Sequence, residues 1–395
     1  MRKNRILLRF AVLALAAGLV YLGGLIGSFA SAQTGAPVPF QVLHDFAGGS
    51  TDGNVPEGSL ILSGKTLYGM TYGGGANGGG TIFEFNTQTN KLTVLHSFAG
   101  GTNDGVYPYG NLILSGKNLY GLTYNGGAKG DGTIFEFNTQ TGKLTILHSF
   151  DGTDGANPTG SLILSGKNLY GLTYRGGASG VGTIFEFNTQ TGQLTTLHSF
   201  DGTDGTSPYS SLTLSGKNLY GMTTRGGANG DGTIFEFSTQ TNKLTVLHSF
   251  AGGTDDGASP SGSLILSGIN LYGMTFYGGA NSNGTIFEFN TQTNKLTVLH
   301  SFAGGLDDGA NPNGGLILSG KTLYGMTAGG GNSIGTIFEF NTQAGQVTVL
   351  HSFAGEPTDG SHPQGSLVLS GKTLYGMTSA GGADNDGVIF SYSLK

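Results

Sequence analysis

The chain has 395 residues, of which 75 are glycine, and it contains neither cysteine nor tryptophan. Its formal net charge is −6. The lack of cysteine excludes disulfides, thiolate metal sites and a lipidated cysteine, and an acidic chain is poorly suited to bind the phosphate backbone of a nucleic acid.

The first 32 residues have the pattern of an export signal. Four basic residues precede an apolar stretch that runs from Ala11 to about Ala30 and ends in Ala-Ser-Ala at Ala32. This pattern predicts a signal peptide over residues 1–32 and a linker over residues 33–40. The apolar stretch also approaches the roughly 20 residues that cross a bilayer, so an uncleaved membrane anchor is the alternative. Both interpretations place the remainder, whose net charge is −10, in a secreted, periplasmic or cell-surface location.

Seven copies of one repeat follow the leader. Within one copy, residues 161–165 and 168–173 flank the tight turn Gly166-Lys167, which is a β-hairpin signal. Residues 183–188 and 193–200 complete a unit of four short strands, A to D. Leu-Tyr-Gly marks strand B of every copy, at intervals of 50 to 52 residues, with its tyrosine at Tyr68, Tyr120, Tyr170, Tyr220, Tyr272, Tyr324 and Tyr375.

The repeat predicts an all-β fold, a seven-bladed β-propeller of four-stranded antiparallel blades over residues 41–395. Leu162, Ile163 and Leu164 are apolar in succession, so strand A needs a neighbouring sheet on both faces, and radial stacking supplies it. The repeated region opens with a lone strand D at residues 41–46 and stops with a strand C at residues 388–392. We therefore expect the N-terminal strand to close the last blade and leave no free sheet edge.

Two repeat families have similar motifs. The order Leu-Tyr-Gly, Gly-Gly, Ile-Phe-Glu-Phe-Asn and Leu-Thr-Val-Leu resembles the kelch repeat, although the tryptophan usual in kelch repeats is absent. Leu-His-Ser-Phe, Leu-Tyr-Gly-Met-Thr and Gly-Thr-Ile-Phe-Glu-Phe are still more similar to the GloVer tandem-repeat family of bacterial surface proteins. This resemblance implies export and a propeller-like fold, and it carries no established activity or catalytic residue.

The strand order predicts a propeller with two different ends. The D-to-A and B-to-C loops, rich in aspartate, share one end, called here the loop end, and the lysine-rich A-to-B and C-to-D turns share the other. Seven Asp-Gly pairs, from Asp52-Gly53 to Asp359-Gly360, lie in the D-to-A loops. They predict tight turns, with glycine at positive φ and the carboxylate bonded to the backbone, and a calcium site is the weaker alternative. We expect no other cofactor.

Histidine and glutamate also repeat. Alternation along residues 91–98 predicts that His96 and its equivalents share a face with Leu92, Val94 and Phe98, and that they hydrogen-bond a nearby loop. The glutamates of strand C are expected to pair with lysines or strand hydroxyls. Since near-identical blades supply near-identical environments, neither set predicts catalysis or a metal site.

Function should be encoded where the repeats differ. The residue that follows the threonine of strand B is aromatic in four blades, and tyrosines also vary in the D-to-A loops. Aromatic faces beside arginine and aspartate are typical of a carbohydrate or peptide site. The candidate ligand-binding residues are Tyr72, Tyr124, Tyr174, Phe276, Tyr277, Tyr107, Tyr109, Tyr209, Arg175 and Arg225, and the alternative is that the tyrosines only shield blade edges.

These features favour an exported, noncatalytic binding or scaffold module that takes a glycan or an extracellular or cell-envelope protein at the loop end, as a monomer. The alternative is an extracellular polysaccharide hydrolase or lyase, for which Glu57, Glu356 and His362 are the nonrepeated acid-base candidates. A purely architectural role in the cell envelope is a third interpretation. No nucleic acid partner is expected, and contact with a membrane is expected only through an uncleaved leader.

Overall fold

A computed structural model describes residues 39–395, and within them it contains β-strands and no helix. The predicted leader and all but the last two residues of the predicted linker lie outside the described residues. In the described part of the chain, no helix is long and apolar enough to cross a membrane.

Seven antiparallel blade sheets surround one axis, as the repeats predict, and β2 and β5 form a separate two-stranded sheet; the strands are numbered β1 to β32 in chain order. Strand A is innermost and is formed by β3 (Ile61–Ser63), β9 (Ile113–Ser115), β13 (Ala156–Ser165), β17 (Thr213–Ser215), β21 (Gly257–Ser267), β26 (Ile317–Ser319) and β30 (Gly360–Ser370). Strand B is formed by β4 (Thr66–Thr71), β10 (Asn118–Gly126), β14 (Asn168–Arg175), β18 (Asn218–Thr223), β22 (Asn270–Gly278), β27 (Thr322–Gly330) and β31 (Thr373–Gly381).

The two outer strands are the most regular. Strand C is formed by β6 (Thr81–Asn86), β11 (Thr133–Asn138), β15 (Thr183–Asn188), β19 (Thr233–Ser238), β23 (Thr285–Asn290), β28 (Thr336–Asn341) and β32 (Val388–Ser393). Strand D is formed by β7 (Lys91–Ser97), β12 (Lys143–Ser149), β16 (Gln193–Ser199), β20 (Lys243–Ser249), β24 (Lys295–Ser301), β29 (Gln346–Ser352) and the N-terminal β1 (Phe40–Asp45). Four short strands at the loop end are β2 (Gly53–Asn54), β5 (Gly73–Gly74), β8 (Gly105–Pro108) and β25 (Gly309–Pro312).

The N-terminal strand closes the ring. β1 pairs antiparallel with β32, with Phe40 opposite Tyr392 and Asp45 opposite Val388. The last sheet therefore has the order β1-β32-β31-β30, which confirms the predicted closure. At the axis, the Ser366 backbone N–H donates to Ser59 Oγ at 2.6 Å, so the last blade is also bonded to the first.

The apolar core lies between blades. Phe98 at the end of one strand D meets Phe135 in strand C of the next blade edge to face, at 5.4 Å between ring centroids. The glycine of Leu-Tyr-Gly serves the same packing, because a Cβ on Gly121 would lie 2.4 Å from Phe135 Cζ. The repeat motif thus encodes the contact of strand B with the phenylalanine of strand C.

Two sequence expectations about repeated residues were wrong in detail. Every strand D carries a β-bulge, so His96 pairs with Ile82 while Val94 pairs with Phe83, and the two side chains lie on opposite faces. Most of the Asp-Gly glycines do not have positive φ: Gly105, for example, is needed because a Cβ there would lie 2.3 Å from Thr123 Cγ2. Gly155 and Gly205 are the two that have positive φ.

Candidate functional site

Two residue positions at the loop end have a fixed backbone and a variable side chain. In every blade, Oγ1 of the last threonine of strand B donates to the carbonyl oxygen two residues later, at 2.7–3.0 Å. We call the two residues after this threonine the first and second carrier positions. The first holds Tyr72, Tyr124, Tyr174, Thr224, Phe276, Ala328 and Ser379, and the second holds Gly73, Asn125, Arg175, Arg225, Tyr277, Gly329 and Ala380.

A third variable position faces the axis. In each blade a proline lies within strand A or shortly before it, and the residue that follows this proline is called the axial position. Its occupants, in blade order, are Glu57, Tyr109, Thr159, Tyr209, Ser261, Asn313 and Gln364. Residues from all seven blades surround a narrow axial channel of about 60 Å³.

Six of the ten predicted residues line one cavity, called the aromatic cavity, of about 480 Å³. They are Tyr72, Tyr109, Tyr124, Tyr174, Tyr209 and Arg175, and Glu57 completes the lining. Tyr107 adjoins this group, because its ring stacks on Tyr72 at 4.7 Å between centroids with an interplanar angle of 13°.

Contacts between rings hold the aromatic cavity together across blades. The hydroxyls of Tyr109 and Tyr209 are hydrogen-bonded, although the residues are 100 positions apart in the chain. The Tyr209 ring lies edge-on to Tyr174 at 6.0 Å, and the Arg175 guanidinium lies 5.7 Å from the centroid of Tyr174. These contacts orient the rings toward a shared space. Tyrosines that only shielded the edges of separate blades would not be expected to contact one another in this way.

A second cavity of about 300 Å³, called the Arg225 cavity, adjoins the first. Tyr174 and Tyr209 line both cavities, and the Arg225 cavity adds Arg225, Phe276 and Tyr277 from the predicted set. Among the described residues, Thr224 Oγ1 is the one buried side-chain polar atom without a hydrogen-bond partner, and Thr224 also lines this cavity. The structure thus gathers all ten predicted residues into two adjoining cavities and their rim.

Glu57 is the member of the aromatic cavity that sequence reasoning did not place there. Burial raises the pKa of Glu57 to about 7. Burial, and then the nearby Glu57 and Tyr72, raise the pKa of Tyr209. A signal was present in the sequence, since Glu57 occupies the axial position in the same frame as Tyr109 and Tyr209.

The other nonrepeated acid-base candidates lie elsewhere. Glu356 and His362 are exposed, and neither lines the aromatic cavity. His362 precedes Pro363 and has a φ of +54°. The residues before the equivalent prolines of the other blades also have positive φ. Glu57 is therefore the carboxylate that the structure brings to the rings.

The repeated histidines each bind a loop aspartate. In all seven blades His Nε2 lies 2.6–3.2 Å from the carboxylate of the Asp-Gly pair, as between His96 and Asp104. Asp104 also accepts hydrogen bonds from the Ala99 and Gly105 backbone N–H groups. The predicted hydrogen bond from histidine to a loop is confirmed, and we call this arrangement the His-Asp clasp.

The glutamates of strand C lie opposite the tyrosines of strand B, as Glu136 lies opposite Tyr120. Burial and a hydrogen bond to Glu136 raise the pKa of Tyr120. Within residues 39–395 no glutamate is ion-paired with a lysine, so the lysine pairing that the sequence suggested for this set is not observed there. No group of three or more potential metal ligands occurs in that part of the chain.

The fold and the site together define a class: a seven-bladed β-propeller that carries an aromatic-lined cavity on variable positions of a uniform loop framework. The chain belongs to the Gloeobacter/Verrucomicrobia repeat family, whose model matches residues 21–164, 102–274 and 252–395. This match confirms the tandem-repeat resemblance drawn from the sequence.

Solved structures with a similar fold are distant in sequence. An oligogalacturonate lyase in complex with manganese is 11% identical, with 87% of this chain and 90% of that chain covered and a TM-score of 0.59. A second oligogalacturonate lyase, from Vibrio parahaemolyticus, is 11% identical over 90% and 93% of the two chains, with a TM-score of 0.55. A putative 6-phosphogluconolactonase from Bacteroides fragilis is 21% identical over 80% and 87%, with a TM-score of 0.52. At these identities the likeness concerns the fold alone, and no curated protein matches the chain significantly.

Proposed function

We propose that the protein is an exported, noncatalytic binding module and that its aromatic cavity binds a glycan. The observation that carries the proposal is the grouping of Tyr72, Tyr109, Tyr124, Tyr174 and Tyr209 around one open cavity. Tyrosine rings offer rigid apolar faces to the C–H faces of sugars, and their hydroxyls offer polar edges to sugar hydroxyl groups.

The rest of the molecule supports a rigid scaffold for such a site. The rings of Tyr72, Tyr124 and Tyr174 project from carrier positions whose backbone is held by the same threonine hydrogen bond in every blade, so little conformational freedom is lost when a ligand binds. Export rests on the leader pattern of residues 1–32, and it suits a protein that meets polysaccharide outside the cell.

The test is a titration of the purified protein with a panel of neutral and acidic oligosaccharides. Binding is measured by calorimetry and by tyrosine fluorescence. Tyr124→Ala and Tyr174→Ala should each weaken the free energy of glycan binding by about 1 kcal/mol, which is roughly a fivefold rise in Kd, because each removes one stacking face. Leu306→Ala is the matched control, since Leu306 is 69% exposed at the same end of the ring and lines neither cavity. Glycan affinity that is unaffected by both tyrosine substitutions would contradict the proposed site.

Glu57 supports one second candidate, an extracellular polysaccharide hydrolase or lyase. A buried carboxyl whose pKa is about 7 is suited to exchange a proton with substrate at neutral pH. The binding proposal predicts no release of new reducing ends or unsaturated products from bound polymers. Product formation that disappears in Glu57→Gln and persists in Glu356→Gln would replace it with the enzymatic one.

A further inference from the structure

Three cations stand at the loop end, where the other charged residues are mostly acidic. Lys129, Arg175 and Arg225 belong to three consecutive blades and are all exposed. The lysines of the A-to-B and C-to-D turns lie at the opposite end of the ring. Among residues 39–395, the lysines and arginines of this end are therefore confined to the sector that contains the two cavities.

The fold does not require the two arginines. Both occupy the second carrier position, where other blades place glycine, asparagine, tyrosine or alanine on the same hydrogen-bonded backbone. Within the described part of the chain every ion pair joins a histidine to an aspartate, so neither guanidinium is neutralised by a protein carboxylate. An arginine that the scaffold does not use is available to an external anion.

The arginines also have a definite relation to the rings. Arg175 lines the aromatic cavity, Arg225 lines the adjoining cavity, and Tyr174 and Tyr209 form the wall common to both. A ligand chain that passes over this wall would place one unit beside each guanidinium. Planar guanidinium groups match carboxylates with two parallel hydrogen bonds, whereas a neutral sugar would leave this capacity unused.

We infer that the glycan bound here is a uronic-acid oligosaccharide, with successive carboxylates held by Arg175 and Arg225 and the sugar faces stacked on Tyr174 and Tyr209. The inference rests on the proposed glycan site and adds the chemical class of its ligand. Glu57 is the acidic group in the lining, and it lies at the axial position, while both arginines are exposed at carrier positions. Burial favours the neutral form of Glu57, which reduces its repulsion of an anionic ligand.

The experiment compares a galacturonate hexamer with its methyl ester, because esterification removes the charge and keeps the sugar. In low salt the acid should bind the purified protein at least tenfold more tightly than the ester, and added salt should reduce the difference. Arg175→Gln and Arg225→Gln should each lower the affinity for the acid about tenfold and leave the affinity for the ester unchanged. Arg175→Lys should keep only part of the affinity for the acid that Arg175→Gln loses. Lys372→Gln, in a turn at the end of the ring opposite the loop end, should leave the affinity for both ligands unchanged.

The outcomes separate the two proposals. If the acid and its ester bind equally, the uronic-acid inference is overturned while the glycan site stands. If neither binds and no other glycan of the panel binds, both proposals fail. A sulfated oligosaccharide of the same length forms the third arm, and tighter binding of that ligand would overturn the assignment of carboxylate as the recognised anion.

Discussion

At the scale of single residues, the residue before each strand-A proline is held in the left-handed region of φ. Val55, Asn157 and Asn311 have φ of 51–53°, and the remaining four blades are similar. The N–H of this residue donates to the B-to-C loop of the preceding blade, as Asn157 donates to Asp131 O at 2.7 Å. The contact between blades fixes this geometry, which asparagine adopts at little cost and β-branched valine adopts only with strain.

Exchanging these residue types should change stability in opposite directions. Asn157 Nδ2 donates to Tyr124 O at 3.0 Å, and the equivalent acceptor for residue 55 is the carbonyl of Ser379. Val55→Asn should raise the free energy of unfolding by about 1 kcal/mol, because it relieves strain and adds a hydrogen bond. Asn157→Val should lower it by about 2 kcal/mol for the converse reasons. Thermal denaturation of the two variants checks this, and a lower melting temperature for Val55→Asn would contradict it.

At the scale of elements, the His-Asp clasp fastens each D-to-A loop to the end of a strand D. The clasp also changes the pKa of its carboxylates, as at Asp52, Asp104 and Asp308. Burial acts to raise the pKa of each of them, but the hydrogen bonds from histidine and from two backbone N–H groups outweigh burial and hold the pKa below its ordinary value. Each carboxylate is thus more stable in its ionised form when the chain is folded.

The sign of the linkage gives a pH dependence. A carboxyl whose pKa is lowered by folding contributes stability above its unfolded pKa of 3.8, and this contribution is lost as the pH falls through the lower folded value. The melting temperature should therefore fall as the pH drops below about 4. Asp308→Asn should lower the melting temperature at pH 7 and make the acid loss shallower, whereas Asp307→Asn, at an exposed neighbour, should do neither. Equal acid slopes in Asp308→Asn and the parent protein would contradict the role of the clasp.

At the scale of the whole molecule, ring closure depends on β1. Phe40 stacks on His351 of the preceding blade at 3.7 Å and packs edge to face on Phe353 at 5.8 Å. Leu92 is its structural equivalent in the first blade, since it lies opposite Phe85 as Phe40 lies opposite Tyr392. The two residues thus offer a matched pair. Phe40 lies in the strand pair β1–β32 that closes the ring, called here the seam, and Leu92 lies inside a continuous blade.

Phe40→Ala and Leu92→Ala should both lower stability by about 2–4 kcal/mol through lost packing. Only Phe40→Ala should speed hydrogen exchange selectively in β1 and β32, because β1 can leave its blade without unfolding an internal segment of the chain. Exchange measured by mass spectrometry checks this. Equal protection of β1 and β32 in the two variants would mean that the seam is no weaker than an ordinary blade.

Sequence alone determined the number of blades, the four strands of each, the closure by the N-terminal strand and the two unlike ends of the ring. These follow from a repeat interval and from residue patterns that act locally, such as the glycine of Leu-Tyr-Gly beside the phenylalanine of strand C. The ten candidate ligand residues were also found in the sequence, because they are the positions where otherwise similar repeats differ.

Tertiary structure alone decided how those residues combine. Glu57 and Tyr209 are far apart in the chain, and only closure of the ring brings the first blade near the fourth. The β-bulge that moves His96 to the face opposite Val94, and the close approach of Gly105 to Thr123, depend on neighbouring strands and are not encoded in alternation or turn chemistry. The physical reason is that blade fold is set by local pairing, whereas the cavities are set by the radial packing of all seven sheets around one axis.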